Sequence, residues 1–138
     1  MSDCVDLIGL RYRLGADGSK GEIDCIHLVY KVWERCGIDA PPFNPDWYSS
    51  SKTKVCRDLL QWGYRVDQPT YDGDVLLLKE DNWAFAVTWQ TGILYVNTHL
   101  NFVTWGPVSN FTSFHCFRMT AKAQLSSLRR STSPSYVG

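Results

Sequence analysis

Between Gly21 and Gly37 the apolar residues Cys25, Leu28, Val29, Val32, Trp33 and Cys36 recur at steps of three and four, the spacing of one helical face. Asp24 stands where the N-cap of that helix belongs, and Gly37 supplies its stop. Upstream, Asp3 is placed to cap a short first helix from Cys4 to about Tyr12, and "GADGSKGE" follows as a turn-rich loop. After "GIDAPPFNPDWYSSS", a loop with three prolines and aromatic pins, Val55, Leu59 and Trp62 share one side of a helix predicted over Lys54 to Trp62 and ended by Gly63. From Asp74 the texture changes. "DVLLLKE", "WAFAVTW", "ILYV", "FVTW" and "FHCFRM" are short β-branched or aromatic runs between polar or glycine-containing breaks, as in an antiparallel meander. Helices followed by strands predict an α+β fold, with the Cys25 helix packed on a C-terminal antiparallel sheet of about five strands.

After Met119 the apolar density falls. The chain of 138 residues therefore reads as one domain over 1–120 followed by a basic, Ser-rich tail or arm over 121–138. The tail is either a frayed terminus or a segment that orders on a neighbour. Fourteen basic and fourteen acidic side chains cancel, which argues against electrostatic capture of nucleic acid. Six Trp and seven Tyr imply a thick core, a binding surface, or both. No stretch is long and apolar enough for a membrane span, and Met1 to Gly21 lacks the pattern of a secretion signal, so cytoplasmic synthesis is expected. The five cysteines form no CxxC pair and no metal-ligand spacing with His27, His99 or His115, and nothing in the chain calls for a metal or an organic cofactor.

Cys25 is the residue with candidate chemistry. A thiol in the first turn of a helix feels unpaired amides and the positive end of the macrodipole, both of which favour the thiolate. Asp24 opposes them, because a neighbouring negative charge raises a thiol pKa. Position alone leaves two readings, a nucleophile or a small apolar residue facing the core.

The stretch "YRLGADGSKGEIDCIHLVYKVWERCGI" followed by "YDGDVLLL" resembles the NlpC-type cell-wall peptidases, papain-like enzymes with a Y-x-x-G element, a D-C-S-G-L helix start and a G-D pair opening a sheet. The matching residues are Tyr12, Gly15, Asp24, Cys25, Leu28, Gly73 and Asp74. The resemblance, over about residues 3 to 119, implies a nucleophile helix on an antiparallel sheet, with Tyr12 and Asp24 in binding positions. It also implies a general-base histidine opening the second strand and a polar residue on the third that orients it. An imidazole is needed there to deprotonate the sulfur and later protonate the leaving amine. In "NWAFAVTW" the expected histidine position falls on Ala84, or on Trp83 if the register slips, and neither can accept a proton. Asn97 takes the orienter position. Ile26 and His27 replace the family's serine and glycine, and His27, about 200° around the helix from Cys25, is turned away from the sulfur. His99 shares a strand face with Asn97 if that strand stays regular, which makes it the candidate substitute base. His115 opposes Phe114 and Cys116 on the last strand, at an exposed or edge position. Trp83, Phe85, Trp89 and Trp105 either fill the substrate cleft or form ordinary sheet core.

Two functions follow. In the first the chain is a degenerate peptidase-like domain retained as a structural or interaction module; small chains of this type resemble those of tailed-phage tail tips and baseplates, where the partners are other virion proteins. In the second it is an active cysteine peptidase or amidase that cleaves peptidoglycan stem peptides through Cys25 with an atypical base. A cytosolic thiol protein unrelated to cell walls is the third and plainest possibility.

Overall fold

A computed structural model describes residues 3–79 and 84–119. Their elements are β1 (Arg11–Tyr12), β2 (Glu22–Ile23), α1 (Cys25–Arg35), α2 (Lys52–Leu60), β3 (Gly63–Val66), β4 (Val75–Leu78), β5 (Phe85–Trp89), β6 (Gly92–Asn97), β7 (Phe102–Gly106) and β8 (Phe114–Met119), with 3-10 turns at Val5–Leu7, Pro45–Ser49 and Val108–Asn110. The strands form one sheet in the order β2-β1-β7-β6-β5-β4-β8-β3. The β1–β2 pair is parallel and the other neighbours are antiparallel. The fold is α+β.

The five strands expected from the meander lie side by side as the middle of this sheet. Three more, absent from the sequence expectation, extend it: β1 and β2 at one margin and β3 at the other. The helix expected from Cys4 to Tyr12 is replaced by the 3-10 turn and β1. Gly9, at φ +94°, breaks the segment with a conformation that side chains resist, and Gly9 N and Leu10 O then bond to the two sides of Val103 on β7. Asp3 is not the cap residue, which is Cys4, although its carboxylate accepts from Val5 N at 3.0 Å. Tyr12 is therefore a strand residue. The tail over 121–138 and Trp83 lie outside the described residues.

Helix α1 forms where its pattern predicts. Leu28, Val29, Val32 and Trp33 are buried to within 1% of full exclusion, and each such side chain contributes about 1.5–3 kcal/mol of transfer free energy. They meet Val75, Leu77, Phe85, Val87, Trp89, Leu94 and Phe117 from one face of the sheet. Leu76, Ala86, Ile93 and Cys116 alternate onto the opposite face, where Tyr95, Val108 and Phe111 cover them. Both faces of β5 are thus buried.

Gly73 couples helix to sheet. The indole of Trp33 donates to its carbonyl at 2.8 Å, and its own amide donates to Thr88 O at 2.8 Å. Its φ is +93°, a conformation that side chains rarely adopt, so the backbone calls for glycine there, and a Cβ would also push aside the tip of Ile38. Asp74 beside it is 1% exposed. It accepts from Thr70 N and Tyr71 N, and Arg118 grips it with two 2.9 Å bonds from Nε and Nη2. This buried ion pair locks the start of β4 to β8.

Candidate functional site

The start of α1 is organised by Asp24, which is fully buried. One carboxylate oxygen accepts from His27 N at 2.8 Å, the N-cap bond that the sequence predicts, and faces His27 Nδ1 at 2.9 Å. The other accepts from Gly15 N at 2.8 Å and from the hydroxyl of Tyr48. A buried carboxylate is tolerated because all these donors converge on it. The Gly15 bond also links the Y-x-x-G stretch to the Asp-Cys pair.

The proline-rich loop closes over this end of the helix. Tyr30 holds the loop by donating to Pro41 O at 2.8 Å. Phe43 stacks on the His27 ring with centroids 4.5 Å apart, and Tyr48 OH lies 3.2 Å from His27 Nδ1. Facing a carboxylate oxygen, Nδ1 carries the ring proton and donates it to Asp24. Trp47, buried in the same loop, packs on Phe85 and donates to Asp58 of α2 at 2.9 Å. Tyr12 completes the surroundings: burial raises its phenol pKa, and the charges of Cys25 and Asp24 raise it further. The same influences act on Tyr48, where burial comes first and the bond to Asp24 second.

Cys25 is half-buried. Burial pushes the thiol pKa up. A hydrogen bond from the Phe85 amide pulls it back, Asp24 raises it again, and the amides of Cys25 and Ile26 lower it. The helix end therefore acts in the direction expected for a reactive cysteine, but desolvation outweighs it.

The Phe85 amide places the sulfur at the beginning of β5, the strand on which the base was expected. The ladder shifts the register by one residue, however. Leu78 N donates to Ala84 O at 2.9 Å, which continues the Leu77–Phe85 pairing, so Ala84 faces the side of Leu78 and Ala86, away from α1. Phe85 stands on α1's face, buried against Trp47. Asn97, reached by extending the Val87–Leu94 register, is on Ala84's side; its Oδ1 accepts from His99 N at 2.9 Å and Leu100 N at 3.0 Å. It builds the β6–β7 turn rather than orienting a base. His99 is exposed in that turn, beyond the end of β6, and so does not share a strand face with Asn97.

His27 is not a surface histidine, since its side chain is 19% exposed and engaged by Asp24 and Phe43. His115 lies on the last strand as expected, but half-buried on a strand flanked by β4 and β3 rather than exposed or at an edge, because β3 pairs outside it; there it contacts Arg65. These three account for every histidine in the chain. Phe85 and Trp89 are sheet core, whereas Trp105 is 43% exposed. Tyr48 and Phe43 were not singled out from the sequence. The i,i+3 spacing of Asp24 and His27 was the available signal for the ion pair. Among the described residues no group of three His, Cys, Asp or Glu side chains is gathered as a metal site needs.

No protein-family model matches the chain, and no curated protein matches it in sequence. Among the described residues no helix is long and apolar enough to cross a membrane.

Proposed function

We propose that this chain is a peptidase-like domain of NlpC type that has lost its catalytic base and serves as a structural or interaction module, in the manner of a phage tail-tip or baseplate subunit with other virion proteins as partners. One observation carries the loss of chemistry. The strongest influences on the Cys25 sulfur are burial, the Phe85 amide and Asp24, while His99 stands in a surface turn, His115 lies against Arg65 two strands from β5, and His27, about 200° round the helix from Cys25, turns its Nδ1 to Asp24. A thiol whose pKa is raised and which has no imidazole to accept its proton is a poor nucleophile near neutral pH.

The scaffold reading is supported by α1 capped ahead of Cys25, by a mostly antiparallel sheet receiving that helix, and by Gly73, which ties Trp33 of the helix to the start of β4. The virion setting rests on the sequence resemblance alone. Scaffold similarity does not carry activity with it.

The test is zymography on purified peptidoglycan with the full chain and its Cys25→Ala variant. Equal absence of clearing is expected from both. Clearing by the parent that disappears in the variant would establish a working peptidase or amidase and overturn the proposal. Recovery of the chain from assembled virions, located by labelling, tests the structural role separately.

A further inference from the structure

On the same sheet face as α1, but at the margin under α2, Arg65 meets one imidazole, and Lys79 and Lys52 lie near enough for their charges to act on it. Arg65 of β3 places Nη2 2.5 Å from His115 Nδ1. Arg65 pairs across the ladder with Phe117, and His115 with Leu77, so both belong to the helix-covered face. Lys79 follows Leu77 by two residues and is held by its amide on Ser113 O at 3.1 Å, which carries it along that face beside His115. Lys52 opens α2, whose Val55 and Leu59 pack into the same core. The charges of Arg65, Lys79 and Lys52 act together on the His115 ring and on the Cys56 thiol of α2.

The chemistry of the contact defines the ring. A guanidinium can only donate, so Nδ1 is the acceptor, the imidazole is neutral and Nε2 carries the ring proton. Four cations elsewhere are matched by carboxylates: Arg13 by Glu22, Arg35 by Asp6, Lys54 by Asp58 and Arg118 by Asp74. Among the described residues no carboxylate forms an ion pair with Arg65, Lys52 or Lys79; Glu80 and Asp81 lie outside them. Like charges brought together in a chain of zero net charge repel unless an anion joins them.

We propose that Arg65, Lys52, Lys79 and neutral His115 form a binding site for a phosphate group. Donors approaching from three separate elements suit an anion with three accessible oxygens better than a planar carboxylate with two, and the positive end of α2 adds to the field. The site is two strands from Phe85 across β4, roughly 10 Å from the strand that touches Cys25. It stands independently of any activity at that cysteine.

The experiment titrates inorganic phosphate into the full chain at constant ionic strength kept with chloride, following binding by calorimetry and the histidine ring signals by NMR. Saturable binding in the millimolar range is expected, shifting His115 while leaving His27 unmoved. Arg65 and Lys79 are exposed, so Arg65→Gln and Lys79→Gln are expected to fold, as a thermal melt verifies, and to weaken binding roughly threefold to tenfold each. Methyl phosphate and dimethyl phosphate distinguish a terminal phosphate from a phosphodiester as the source, and binding of either supports the site. The proposal is overturned if chloride alone reproduces the shifts or if both variants bind as the parent does. It is equally overturned if phosphate binds only after Glu80→Gln and Asp81→Asn remove neighbouring carboxylates.

Discussion

The hydroxyl of Tyr48 donates to Asp24, so a loop residue completes the cap of the helix that carries Cys25. Removing that donor leaves a fully buried carboxylate with one partner fewer. Tyr48→Phe is expected to destabilise the fold by about 1.5–3 kcal/mol, the range for hydrogen bonds to charged groups. Urea unfolding with an unchanged m-value measures it. A loss within error would mean that water replaces the phenol.

Cys25 should alkylate slowly. Burial holds its pKa above that of an ordinary thiol, so its iodoacetamide labelling rate should still be climbing at pH 9 rather than levelling near neutrality. Peptide mass spectrometry separates it from the other four cysteines. A plateau below pH 7 would identify a stabilised thiolate and contradict the electrostatics described above.

The ladder distinguishes two neighbouring positions. Phe85→His places an imidazole on α1's face and should lower the pH at which Cys25 is alkylated, with some loss of stability from the vacated ring volume. Ala84→His points to the other face and should leave the labelling profile unchanged. The reverse result would return the base position to residue 84.

Asp74→Asn should be among the most damaging single changes. It neutralises the carboxylate held by two Arg118 bonds and leaves a guanidinium, otherwise flanked by the rings of Tyr64 and Tyr71, without its counter-charge. Breaking one side of a buried pair costs about 3–5 kcal/mol. Arg118→Met, which removes the cation instead, strands the carboxylate; the double variant should recover part of either loss, as a denaturation cycle reveals.

His115 supplies a pH dependence. Burial lowers its pKa, and Arg65, Lys79 and Lys52 lower it further. The unfolded chain therefore binds this proton more readily than the folded one. Its contribution to stability is complete above the unfolded value of about 6.5 and is lost as pH falls from there toward the folded value. An NMR titration of the ring should give a midpoint below 6.5, and Lys79→Gln should raise it.

Much of α1 was legible because its signals are local: an N-cap, an apolar step of three or four, and Gly37, which adopts φ +67° at the helix end. The middle strands were legible for the same reason. β1 and β2 were not, since two residues develop no period, and β3 is mostly exposed. In the site, the Asp24 cap and the place of Cys25 in the first helical turn follow from the local pattern. Residue 84 was misplaced because β5 is buried on both faces, so its apolar run cannot show which side is which. Tyr48 reaches Asp24 from 24 positions away. Contacts made by loop closure leave no periodic trace.

The outermost strands bear on how this chain associates with others. β2 has two residues and β3 four, and the latter carries the exposed Tyr64 and Arg65 on its two opposite faces. Ribbons this brief offer a foreign backbone almost nothing to hydrogen-bond with, and a guanidinium on the border discourages stacking of sheet upon sheet into fibrils. Recognition by neighbours is thereby left to loops and side chains, where geometry can be selective.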